Sequence, residues 1–373
     1  MFTILRAEKR YLIMLGLVIS TRQRVFGLDL LRAIAIFCVV HRHGMHLVRG
    51  TRLDWLANLP VPHGVDLFFV LSGFLIGQSV MRMMEREGVW QRTWRFYRKT
   101  ALRILPNYYA LLLLNLIVVW LGVISADLTA TPMYQYVTLT QNIFTPFQGF
   151  YWESWSLPIQ WWFYMALPIV AIALRRVVGR YALPVAALLA IVGCAAYRAS
   201  VGMGLDDPYY YDIIIRKTLA TRTDSIYVGV LAAWVYREYP QLWQRCRWWA
   251  LAVGAAVFVA ERSISYTLGD TYSVVFFPML APIACGLALP ALSSWKTARG
   301  PVAKGIMVLS LLSYSMFMVN LLVASIVDGP MHAFATTHGE AAYLLFWVIV
   351  VAATFVLYYC VERPAMRLRE KLK

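Results

Sequence analysis

The sequence predicts an all-α integral membrane protein of about ten transmembrane helices, with both termini in the cytoplasm. Three observations predict it: an apolar composition, ten apolar segments near spanning length, and a lopsided distribution of positive charge. Of 373 residues, 60% are apolar and only 14% charged, against about 45–50% and about 25% in soluble domains. Such a chain cannot cover its surface with polar groups and needs lipid as solvent.

The apolar segments lie at residues 28–47, 64–83, 104–124, 156–174, 181–199, 218–236, 248–261, 273–292, 306–327 and 341–361. Most approach the ~20 residues that carry a helix across ~30 Å of hydrocarbon. The seventh is the shortest in apolar core, because Glu261-Arg262 closes it early. Gly and Pro recur inside several segments, which membrane helices tolerate. Ahead of them, Tyr11–Ser20 is an apolar run behind Arg6, Lys9 and Arg10. It resembles the first half of a signal peptide, but Thr21-Arg22-Gln23-Arg24 stands where a small-residue cleavage site belongs. A surface-lying or poorly ordered extension is expected there. The organisation is thus an extension over 1–24, one ten-helix domain over 25–366 and a basic cytoplasmic tail over 367–373, with no internal repeat. Cys38, Cys194, Cys246, Cys285 and Cys360 show no paired spacing, so neither a disulfide framework nor a metal site is expected.

With the N-terminus inside and ten alternating helices, inner segments hold 26 Lys and Arg and outer segments 8. This is the positive-inside pattern of a cytoplasmic membrane protein. The formal charge of +16 is therefore mainly a topology signal and an attraction to anionic lipid, and a nucleic-acid partner is not expected. The outer loop 125–155 has no Lys or Arg but holds Tyr134, Tyr136, Phe147, Tyr151, Trp152 and Trp155. Two readings fit it: an interfacial aromatic belt, or a platform on which a sugar ring stacks.

Charges inside the membrane are costly and mark chemistry. The first helix carries Asp29, Arg32, His41, His43 and His46. Eleven residues separate Arg32 from His43, which returns to within ~20° of one face and ~16 Å along it. His46 falls near the same stripe, and His41 opposes it. Arginine suits an anionic group, and a neutral imidazole suits taking a proton from a hydroxyl. The plainer reading is that both pair with neighbours to hold the bundle. On the second helix, Asp66 enters at about the depth of His43, where it can orient the imidazole or cap the helix end.

These residues carry a family resemblance. The chain resembles the acyltransferase family 3 membrane proteins, which include O-antigen and exopolysaccharide O-acetyltransferases. The resemblance runs from about Leu28 to Pro364. It rests on Leu28-Asp29-Leu30-Leu31-Arg32, the Arg32–His43 spacing, the Gly64–Ile76 stretch, and Arg103-Ile104-Leu105-Pro106 with Tyr108. Trp155-Ser156-Leu157 with Phe163-Tyr164, Arg222 and Asp224 with Gly229, Ser313-Tyr314-Ser315, and Glu362-Arg363-Pro364 complete it. The resemblance implies an acyl-CoA donor, commonly acetyl-CoA, at the cytoplasmic side and a hydroxyl on a glycan or lipid-linked glycan as acceptor. It carries over Arg32 and His43 as functional residues. Arg92, Arg95, Arg98, Lys99 and Arg103 form a plausible cradle for the phosphates of CoA, and Trp155, Gln160, Tyr164 and Asn320 are candidate substrate contacts. No metal is expected, and the sequence assigns no oligomeric state.

Three positions depart from the family pattern. Thr100 stands where an arginine is usual, with Arg98 or Lys99 as substitutes that reach across. Gln160 replaces a glutamate, and Asn320 a histidine. The last two keep hydrogen bonding but lose titration, which moves the proton work onto His43, steadied by Asp66. Ser72 is expected to face away from Asp66, and Arg222 and Asp224 to meet different partners. Pro364 is expected to end the last helix. A proton-coupled transporter or flippase, or a transferase of another acyl group such as succinyl, is the alternative. Transporters often show two related halves, and none is visible here.

Overall fold

The computed structural model describes residues 11–14, 17–20 and 24–372. Arg6, Lys9, Arg10, Lys373 and the Thr21–Gln23 stretch, where a cleavage site would stand, lie outside the described residues. Within the N-terminal extension, β1 (Tyr11–Met14) and β2 (Leu17–Ser20) pair antiparallel, Tyr11 opposite Ser20. Everything else that is regular among the described residues is helical.

The long helices are α1 (Phe26–Gly44), α2 (Gly64–Met84), α3 (Val89–Trp120), α4 (Ser156–Val178) and α5 (Ala182–Gly202). They continue as α6 (Asp224–Glu238), α7 (Arg247–Ser263), α8 (Phe277–Ser294), α9 (Pro301–Asp328) and α10 (Gly339–Leu357). Each predicted apolar segment falls on one of them. Among the described residues, six continuous helical stretches are long and apolar enough to cross a membrane. One, Trp152–Gly202, contains both α4 and α5, which meet at Gly179, whose φ is 56°. α1 carries its charged stripe within 19 residues, and α6 and α7 have only 15 and 17.

Helix packing relies on small residues, as expected where lipid gives helices no hydrophobic drive to associate. α2 and α6 meet backbone to backbone at Gly73 and Gly229. A Cβ on Gly73 would lie 1.9 Å from the Ile226 carbonyl oxygen, and one on Gly229 2.0 Å from that of Val70. This close approach is the physical content of the glycine at 229. α1 packs against α2 on one side and α9 on the other, so three charged or polar faces converge on one interior.

Two buried arginines fix this bundle. Arg198, on α5, is fully buried. It pairs with Asp224 and donates to the carbonyls of Thr221 (2.6 Å), Val274 (3.0 Å) and Val275 (3.2 Å). Arg222 pairs with Asp66 and donates to the Pro278 carbonyl at 2.8 Å. Arg222 and Asp224 thus meet different partners, as their spacing predicts.

The last helix does not stop at Pro364. A π-helical turn, Tyr358–Glu362, leads into α11 (Arg363–Lys371), with Pro364 in its first turn, where the missing N–H costs nothing. Glu362 accepts hydrogen bonds from Ser315 and, at 3.3 Å, from Asn107. Three of the six aromatic residues named in the outer loop also depart from both expectations. Tyr136, Phe147 and Tyr151 are buried packing residues, and the Tyr151 hydroxyl donates to the Tyr108 carbonyl at 2.9 Å.

Candidate active site

Three adjacent cavities run through the bundle. A chamber of about 380 Å³ is lined by His43, Asp66, Glu153, Trp155, Arg216, Lys217, Arg222 and Asn320, among others. A narrow throat of about 80 Å³ follows, lined by Arg32, Ser72, Arg103, Gln160, Tyr164 and Tyr314. It shares Val65 and Phe317 with the chamber. Beyond it, a vestibule of about 480 Å³ shares Leu75, Ile76, Arg103 and Tyr164 with the throat. A fourth cavity of about 710 Å³ reaches Arg32 and Arg103 from the side of Arg24 and Lys296.

Helix α1 places Arg32 at the throat and His43 in the chamber, on the stripe that the eleven-residue spacing predicts. His41 faces away, bonded to the Tyr343 hydroxyl at 2.8 Å and the Leu56 carbonyl at 3.0 Å. His46 lies past the end of α1, where it meets Asp328 at 2.6 Å.

The imidazole of His43 is held by Asn320, not by Asp66. His43 Nδ1 donates to Asn320 Oδ1. The amide cannot turn over, because its Nδ2 donates to the carbonyls of Phe317 (2.6 Å) and Met316 (3.2 Å). That orientation fixes the tautomer with the proton on Nδ1 and leaves the Nε2 lone pair free to accept one. Asp66 is engaged by Arg222 instead. Asp66 lines the same chamber as His43, but the guanidinium of Arg222, at the end of the short helix Leu219–Arg222 ahead of α6, engages it with a charge-assisted bond that a neutral imidazole cannot match.

The wall of the chamber is tied by further ion pairs and hydrogen bonds. Lys217 meets Asp212 at 2.6 Å and lies 5.1 Å above the ring of Trp152. Arg216 Nη2 donates to His63 Nδ1 at 2.9 Å. Burial, with the fields of Arg216 and Arg42 added, holds the His63 imidazole well below its ordinary value, so it stays neutral and able to accept.

At the throat, Asp29 organises the cations. Arg24 grips its carboxylate at 2.8 and 2.6 Å, Ser310 donates to it at 2.7 Å, and Arg32 lies 3.6 Å away. Arg32 also donates to Ser310 at 3.2 Å. Gln160 and Tyr164 stand here, 3.5 Å apart, rather than beside His43. Ser72, expected to face elsewhere, lines the throat as well.

The vestibule is lined by Arg82, Arg86, Arg92, Arg95, Lys99, Arg103 and Arg369, with no carboxylate. Lys99 reaches it past the buried Thr100, as the substitution at 100 suggested. Arg98 does not: it is exposed and outside this lining, because on a helix its direction differs by ~100° from that of Lys99.

Residues 25–363 match the acyltransferase 3 family, described as an acyltransferase domain. The chain belongs to this family. It is also similar to nodulation protein 10 of Rhizobium leguminosarum bv. viciae, 25% identical over 92% of this chain and 94% of that protein. No solved structure matches it. The acyltransferase is thus a multi-span membrane enzyme that takes an acyl donor as co-substrate.

Sequence reasoning missed Arg82, Arg86 and Arg369 in the vestibule and Glu153 in the chamber. The first three were counted only as topology charges. Glu153 sat in the aromatic loop, where only its aromatic neighbours drew notice. No periodicity marks it, since it precedes α4 in a single 3₁₀ turn, Trp152–Trp155.

Proposed function

We propose that this enzyme moves an acyl group, most simply acetyl, from acyl-CoA on the cytoplasmic side to a hydroxyl of a cell-surface glycan or lipid-linked glycan. It does so in the bacterial inner membrane, with ten spans and both termini inside. The observation that carries the reading is the series of cavities, with a cationic vestibule at one end and a tautomer-fixed histidine at the other.

The seven vestibule cations suit the phosphates of CoA. The throat admits a slender chain such as the pantetheine arm, and Arg32 and Arg103 guide it. In the chamber, the acceptor hydroxyl loses its proton to His43 Nε2 as its oxygen attacks the thioester carbonyl. The carbon–sulfur bond breaks, and the proton returns from His43 to the departing thiolate. Asn320 positions His43 throughout, and Asp66 holds the chamber wall through Arg222. Trp155 contacts the acceptor, while Gln160 and Tyr164 contact the donor end near the throat.

The test is transfer of radiolabelled acetyl from acetyl-CoA to glycan and lipid fractions, in membranes holding wild type or His43→Ala. Label with wild type and none with the variant, at equal protein level, supports the reading. If neither acetyl-CoA nor other acyl-CoA donors are consumed, the transport alternative takes its place.

A further inference from the structure

We infer that Glu153 binds the acceptor, its free oxygen taking a hydrogen bond from a hydroxyl beside the one that reacts, so that the chamber selects polyhydroxylated acceptors. This rests on the acyltransferase reading above and adds the residue that selects the substrate.

Glu153 is 4% exposed, and its Oε1 is fully buried with no hydrogen-bond partner among the described residues. A buried carboxylate with an unpaired oxygen is costly in a low-dielectric interior and calls for a reason. Its place supplies one, because Glu153 lines the same chamber as His43 and Trp155. The loop before it is pinned: Tyr151 sits at φ 60°, and its hydroxyl is tied to the Tyr108 carbonyl.

The position also answers the loss at Gln160. Glu153 precedes Gln160 by seven residues, about two turns, in one continuous helical stretch that opens with the 3₁₀ turn. Gln160 faces the throat and Glu153 the chamber. The carboxylate therefore stands on the His43 side. A carboxylate accepts from two neighbouring hydroxyls at once, and an indole beside it offers an apolar face to a sugar ring. A single alcohol uses neither feature.

The experiment uses the full chain in lipid nanodiscs with acetyl-CoA, comparing n-octyl β-D-glucoside with 1-octanol as acceptors. Wild type is expected to favour the glucoside by about tenfold or more, the worth of one hydrogen bond to a charged group. Glu153→Gln, the same shape without charge, brings the two acceptors close together. It does so by raising KM for the glucoside, with the octanol rate and the KM for acetyl-CoA unchanged. Two results overturn the assignment: an unaltered preference, or an equal fall with both alcohols, which marks a structural role. If wild type binds acetyl-CoA but acylates neither alcohol, the acceptor assignment also fails. Absence of acetyl-CoA binding would overturn the acyltransferase reading beneath it.

Discussion

The His43 chamber and the basic vestibule are built on opposite principles. In the chamber, Asp66 is locked to Arg222, Lys217 to Asp212, and Arg216 to His63. Each of these groups has a fixed partner, unlike Glu153 Oε1 in the same lining, and the imidazole has a fixed tautomer. In the vestibule, seven cations stand together, and none makes an ion pair among the described residues. A pre-organised site directs proton transfer at one atom, whereas an open cationic funnel attracts an anion without specifying its pose. The difference teaches where single substitutions matter and where they average out.

The largest effect is expected at His43. His43→Ala should lower transfer about 10²–10⁴-fold, the range for a lost general base, with acyl-CoA binding preserved. Equal loss of donor binding would break the division between the two regions. Next comes the chamber wall. Arg222→Ala leaves Asp66 buried without its counter-charge, which should cost about 3–5 kcal/mol, read as a fall in thermal midpoint in detergent. Removing one vestibule cation is milder. Arg103→Ala should raise KM for acyl-CoA by about tenfold, and added salt should weaken donor binding in wild type while leaving acceptor KM unmoved.

A smaller effect is pH-linked. His63 titrates below its ordinary value of 6.5 in the folded chain, so its contribution to stability is full above that pH. As pH falls further the unfolded chain binds a proton that the folded chain refuses, and stability is lost toward the folded pKa. His63→Gln should flatten the slope of thermal midpoint against pH. A slope that stays the same places the titration elsewhere. The smallest effect belongs to Arg98→Ala, which should leave donor KM unchanged. A rise matching that of Arg103→Ala would mean that the vestibule extends further round α3.

Much of this was legible in the residues. Apolar run length placed the long helices, six continuous stretches of which are long and apolar enough to cross a membrane among the described residues, because membrane helices must satisfy their own backbone and so announce themselves locally. The eleven-residue interval placed Arg32 and His43 on one stripe, because a single helix fixes that relation without help from its neighbours. Of the basic run at 92, 95, 98, 99 and 103, four residues line the vestibule and Arg98 does not, because its direction on the helix differs. Only the tertiary structure decided who meets whom between helices. It gave Asp66 to Arg222 rather than His43, put Asn320 on the imidazole, buried Arg198 inside the bundle and turned Glu153 toward the chamber. Those choices depend on how α2, α3, α6 and α9 pack, through contacts such as Gly73 on Gly229, and packing brings together residues as far as 302 positions apart. Periodicity within one helix specifies a face; it carries no information about which partner the bundle presents to that face.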